Sequence, residues 1–151
     1  MDKGIYCLVF RTTGCMISVG ALGAIHFPAG WYIYVGSALG SGGLHRLGRH
    51  ILLNQMKNKR PKWHVDYILT SPDFSLVYTV CARTVERKEC QLARELNGNS
   101  IQRFGCSDCS CSSHFFYRME NPLTEILTAF REIQLTPIIK TIINAQVKHN
   151  I

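Results

Sequence analysis

The chain has 151 residues, 46% of them hydrophobic, and a net charge of +7. These values fit one folded domain with a real core; they exclude a disordered polar chain and leave no room for two ordinary domains. The charge is unevenly placed. Lys3 to Val65 holds no Asp or Glu but eight basic residues: Lys3, Arg11, Arg46, Arg49, Lys57, Lys59, Arg60 and Lys62. From Asp66 onward nine basic residues balance nine acidic ones.

A block of one sign steers a polyanion at long range, so nucleic acid is the natural partner; a solvated basic face is the plainer alternative. The seven cysteines are an odd number, and Met1-Asp2-Lys3-Gly4 leads into no long apolar run. No stretch approaches the ~18 apolar residues that cross a bilayer, so neither a secretory signal nor a membrane span is expected. Reduced thiols and a cytoplasmic location follow as expectations.

Residues 4–10 (GIYCLVF) are uniformly apolar and predict a buried strand. Thr12-Thr13-Gly14 predicts a turn and residues 15–19 a second strand, the two forming a hairpin. Residues 20–30 predict a glycine-rich loop with a short strand near Ile25-His26-Phe27, and residues 31–35 (WYIYV) another strand. After the glycine loop 36–43, a helix is expected from about Leu44 to Gln55. Its apolar stripe is Leu44, Leu47, Ile51 and Leu52, with Arg46, Arg49, His50 and Lys57 mostly off it. Lys57 to Lys62 predicts a basic loop. Residues 63–69 and 75–81 predict strands, and 85–97 a helix capped by Thr84. Residues 98–114 predict a Gly/Ser/Cys loop and 114–118 a last strand. Asn121-Pro122 starts a helix with the stripe Leu123, Ile126, Leu127, Phe130 and Ile133. Pro137 ends it, and the residues beyond predict a short helix or a ragged tail. The order predicts an α+β domain with a small central mixed or antiparallel β-sheet flanked by helices.

Gly4-Ile5-Tyr6 lies on the first strand and Tyr34-Val35-Gly36 ends a later one. Arg46 and His50 follow on a helix, one turn apart, and Glu89 lies on a later helix. This order resembles the GIY-YIG nuclease superfamily. Longer phrases resemble a compact branch of it: Phe27 to Ala38, Trp63-His64-Val65-Asp66-Tyr67, and Ser107-Asp108-Cys109-Ser110-Cys111. The resemblance covers roughly the first 118 residues. It implies a nuclease-like domain over 1–118 and a C-terminal helical extension, 119–151, packed on it. The gap between Tyr6 and Tyr34 is longer than usual in the superfamily, and an extra N-terminal hairpin fits there.

Phosphodiester hydrolysis needs an activated water, neutralisation of growing negative charge, and a metal at the phosphate. The resemblance implies Tyr6 as general base and Tyr34 as a positioning group for water or phosphate. A tyrosine near a metal and an arginine ionises more readily than usual; ordinary strand packing is the alternative. Arg46 suits the phosphate clamp because guanidinium is always charged and bidentate, with Arg49 as understudy. His50 would relay a proton or contact phosphate. Glu89 offers the hard oxygen that Mg²⁺ or Mn²⁺ prefers. Glu86 and Glu95 are expected on the same helix; Glu86 and Glu89 would be neighbours on one face, and only the resemblance chooses between them.

Further nucleic-acid contacts are expected from Arg49, Lys57, Lys59, Arg60, Lys62 and His64. On the expected strand, His64 and Asp66 would face one side. Trp31, Tyr32 and Trp63 would stack on bases if exposed, or pack in the core. Cys106, Cys109, Cys111 and His114 are Zn²⁺ ligands by type, though their tight spacing suits a compact Cys/Ser loop as well. The expected function is a metal-dependent endonuclease acting on nucleic acid, DNA before RNA, in repair or structure-directed cleavage. The alternative is a binding module on the same fold that does not cut. A protein partner could supply targeting through the 122–133 helix, whose plainer role is to cover the sheet.

Overall fold

The apolar run that opens the chain becomes β1 (Gly4–Thr12), the middle of the fold. Ile5, Cys7 and Val9 point to one face of the sheet and Tyr6, Leu8 and Phe10 to the other, and all six are buried. A strand covered on both faces needs apolar residues at every position, which explains the missing alternation.

The computed structural model describes residues 2–106 and 111–142. After β1 come β2 (Cys15–Ser18), β3 (Ala24–Phe27), β4 (Gly30–Ala38), α1 (His45–Met56) and α2 (His64–Leu69). Then follow β5 (Phe74–Arg83), α3 (Glu89–Leu96), β6 (Phe115–Arg118), α4 (Leu123–Glu132) and β7 (Ile138–Thr141). Five strands form an antiparallel sheet in the order β6-β4-β1-β5-β7, and β2 and β3 form a separate hairpin. The fold is therefore α+β, with the extra hairpin inserted between β1 and β4. Leu92, Ala93 and Leu96 of α3 and Ile126, Ala129 and Phe130 of α4 cover one face of the sheet. Leu47 and Leu53 of α1, Val65, Ile68 and Leu69 of α2, and Phe27 of the hairpin cover the other. Among the described residues, no helix is long and apolar enough to cross a membrane.

Four local expectations are corrected. The strand at Cys15–Ser18 pairs with β3 and not with β1, because β4 and β5 occupy both edges of β1. Its half-exposed, alternating residues suit a surface hairpin. Residues 63–69 are helical, not extended. Asp66 Oδ2 accepts from the Lys62 and Trp63 amides at 2.9 and 3.0 Å, which satisfies two donors at the start of α2. That local carboxylate cap outweighs the strand propensity of Val65, Tyr67 and Ile68. It also separates His64 from Asp66, since positions two apart on a helix lie roughly 200° around the axis. Third, α3 begins at Glu89, because Thr84 Oγ1 accepts from the Glu86 amide and closes a turn instead of capping a helix. Glu86 therefore precedes the helix. Fourth, residues 138–141 form an edge strand on β5.

α4 begins one residue later than predicted, with Pro122 in the cap position; Asn121 Oδ1 accepts from the Leu123 amide at 3.2 Å and from Tyr78 Oη at 2.7 Å. Phe130 is fully buried among residues of β1, β5 and α3. Phe130→Ala is expected to lower stability by about 3–5 kcal/mol in urea unfolding. An unchanged midpoint would mean that α4 does not share the core.

Candidate active site

Tyr6 of β1 lies directly opposite Gly36 of β4. A Cβ at Gly36 would come 2.5 Å from Tyr6 Cζ and 2.6 Å from its hydroxyl oxygen. Glycine is required there for a steric reason: the phenol crosses over the backbone of β4. Its hydroxyl then reaches His50 Nε2 at 2.9 Å. His50 is only 1% exposed. This corrects its expected place off the apolar stripe of α1; Leu52, expected on the stripe, is 57% exposed. Tyr34 sits diagonally across from Tyr6, its ring centroid 6.4 Å away.

Burial sets the protonation of this pair. It raises the Tyr6 phenol far above its ordinary value, while Arg46 pulls the other way. The expected ease of ionisation is thus outweighed by desolvation in the free protein. Tyr34 is raised for the same first cause, with Tyr6 and Glu89 adding to it. Burial lowers His50 to about 4; the Asp66 carboxylate favours its charged form, and Arg49 and Arg46 oppose it. His50 Nδ1 and Asp66 Oδ1 are both buried without a hydrogen bond among the described residues.

Tyr6 and Tyr34 open on a cleft of about 410 Å³, which Arg46 and Glu89 also line. Arg46 Nη1 donates to Ser37 O at 2.7 Å, fixing the guanidinium beside the end of β4. Arg46, Arg49 and Lys62 all lie over the Trp63 ring, at 5.0, 4.4 and 5.8 Å from its centroid. The electron-rich indole face offsets repulsion among three like charges. Trp63 is thus a platform for cations, a role its sequence context does not disclose. Arg46, Lys62 and Trp63 line the cleft.

Glu89, the first residue of α3, is placed at the cleft by the late start of that helix. Glu86 is paired with Lys88 at 3.7 Å, and Glu95 is exposed. His64 lines the cleft through its place at the start of α2. Its Nδ1 accepts from the Gly105 amide at 2.9 Å, so the neutral ring carries its proton on Nε2. Burial lowers its pKa. Gly105 has φ +73°, where a side chain would be strained and would press on Tyr34 and His114.

The other basic candidates are not brought to the cleft lining. Lys57 Nζ donates to the Leu69 and Ser71 carbonyls at 3.1 and 2.9 Å, which ties it to the end of α2. Lys59 and Arg60 are exposed on the loop after α1. The sulfur-rich loop is also regrouped. Cys90, Cys111 and His114 each present one ligand atom, all within 4.8 Å of one another, and could hold a metal ion. Cys106 instead donates to Phe104 O at 3.4 Å, and Cys109 lies outside the described residues. Cys90 was not legible as a member of this group, because it lies on a helix distant in sequence from the loop. His114 also lines the cleft.

Gly36→Ala should displace the Tyr6 ring and break its bond to His50 while leaving the strand pairing intact. A crystal structure or tyrosine NMR of the variant would show this; a Tyr6 ring unmoved from His50 would contradict the steric account.

No curated protein and no solved structure matches this chain. A family model does match, over residues 5–135, a span that runs from β1 past the end of α4. The chain belongs to the family described as Domain of unknown function DUF123.

Proposed function

We propose that the cleft hydrolyses phosphodiester bonds in nucleic acid, and that the chain is a compact branch of the GIY-YIG nuclease superfamily. The observation that carries this reading is the convergence of Tyr6, Tyr34, Arg46 and Glu89 on one cleft, from two strands and two helices distant in sequence. The two tripeptide motifs lie on neighbouring strands and meet at the Tyr6–Gly36 pair.

The basic wall meets the phosphate first. Arg46 and Lys62 neutralise charge that grows on the non-bridging oxygens as water attacks phosphorus. Trp63 and Ser37 hold the Arg46 guanidinium in place, so little reorganisation is needed when that charge develops. Tyr6 takes a proton from the attacking water as its own proton passes to His50 Nε2. The phenol alone is a poor base, because burial holds its proton; the neutral imidazole behind it is the acceptor. The Asp66 carboxylate favours the imidazolium that results. The water oxygen bonds to phosphorus, the opposite P–O bond breaks, and the departing oxygen takes a proton from solvent. His64 Nε2–H supplies a further donor at the cleft wall.

Glu89 is the residue that would hold Mg²⁺ or Mn²⁺. Its carboxylate fits a hard cation, and its charge is felt at both Tyr6 and Tyr34. When bound, such an ion polarises the phosphate and lowers the pKa of nearby water. The basic surface of the first 65 residues supports a nucleic-acid substrate, and DNA is the first to test.

Single-stranded, duplex, flap and four-way-junction DNA, and single-stranded and duplex RNA, should be incubated with Mg²⁺ or Mn²⁺ and, separately, with EDTA. Metal-dependent cutting is expected, with Arg46→Ala and Glu89→Ala each lowering the rate by about 100-fold or more. Salt-sensitive binding without cutting of DNA or RNA would overturn hydrolysis and leave a binding module on the same surface.

A further inference from the structure

Cys90 is the second residue of α3, directly after Glu89. Cys111 and His114 lie on the segment leading into β6, and His114 is 2% exposed. The His114 backbone is fixed on both sides: its amide donates to Phe104 O at 2.8 Å, and its carbonyl accepts from the Val35 amide at 2.9 Å. Its Nε2 lies 3.9 Å from Cys90 Sγ, and Cys111 Sγ completes a group spanning at most 4.8 Å.

We propose that Cys90, Cys111 and His114 form a Zn²⁺ site that clasps the first turn of α3 to the segment before β6. Bond lengths of about 2.3 Å to sulfur and 2.0–2.1 Å to nitrogen put tetrahedral ligand atoms roughly 3.6–3.8 Å apart. The Cys90–His114 pair is within a few tenths of an ångström of that spacing, and no pair in the group is more than 4.8 Å apart. Two sulfurs and an imidazole suit Zn²⁺ and disfavour Mg²⁺ or Ca²⁺, which take oxygen ligands. Binding releases the two thiol protons to solvent and leaves thiolates on the ion. No redox step is involved.

The site is chemically distinct from the Glu89 oxygen site, although Glu89 and Cys90 are adjacent. A clasp at Cys90 fixes the start of α3 and therefore where the Glu89 carboxylate stands. The proposal does not depend on phosphodiester hydrolysis, and its test needs no nucleic acid.

The full chain, purified without chelator or metal-affinity tag, should contain about one zinc per molecule by elemental analysis. Replacement by Co²⁺ should give thiolate-to-cobalt charge-transfer absorption and the intense visible bands of a tetrahedral site. Cys90→Ser and Cys111→Ser should each weaken zinc binding by at least about 100-fold, whereas Cys15→Ser on the distant hairpin should not. A strong chelator should lower the Tm of the wild type and leave that of the Cys111→Ser variant unchanged. Zinc far below one equivalent after zinc supplementation, with no cobalt charge-transfer band, would overturn the proposal. So would full zinc retention in both cysteine variants. The cobalt spectrum is read on the wild type, so a variant that fails to fold does not decide the matter.

Discussion

The hydrogen bond between Tyr6 and His50 is the constraint around which the cleft is arranged. It joins the central strand to α1 through a buried polar contact, in a layer otherwise filled by Leu47, Leu53, Phe10 and Phe115. A mispaired polar group in such a layer costs free energy, so the bond favours one placement of α1 over the sheet. Once His50 is fixed, Arg46 lies one turn earlier on the same side of α1 and faces the mouth of the cleft. Gly36 makes the bond possible by leaving room for the phenol.

The electrostatics are organised in two layers. Beneath the surface, burial holds Tyr6 protonated and His50 neutral, which is compatible with the proton transfer proposed for this pair. At the surface, Arg46, Arg49 and Lys62 collect on the Trp63 ring, so positive charge is concentrated at the entrance. Glu89 adds a carboxylate to the lining of the same cleft.

The sequence disclosed the parts of this arrangement that depend on local pattern. β1 and β4 were legible as apolar runs, although β4 continues through Gly36 to Ala38, where a glycine loop was expected. The α4 stripe was legible from its periodicity, and Asn121-Pro122 marked its start to within one residue. The strand expected at 63–69 was not, because Asp66 acts through a backbone cap that a pattern of apolar residues does not register. The burial of His50 was hidden for a related reason: its partner is a tyrosine from a strand far away in sequence. The gathering of Cys90 with Cys111 and His114, and of three cations on Trp63, depends on tertiary approach and leaves no spacing to read. Tyr6, Tyr34, Arg46 and Glu89 were singled out by resemblance to a superfamily, and all four line one cleft.

The most direct test of the buried proton couple is ¹⁵N NMR of the histidine rings across pH. The folded-state pKa of His50 is about 4, below its ordinary 6.5. Between those values the unfolded chain binds more protons than the folded one. The stability tied to neutral His50 is therefore complete above about pH 6.5 and is lost as pH falls toward about 4. The spectrum should show His50 as a neutral imidazole at pH 5.5, with one nitrogen shifted by its bond to Tyr6. A His50 ring that titrates near pH 6.5 would contradict the account, since an imidazolium at rest could not accept the proton of Tyr6.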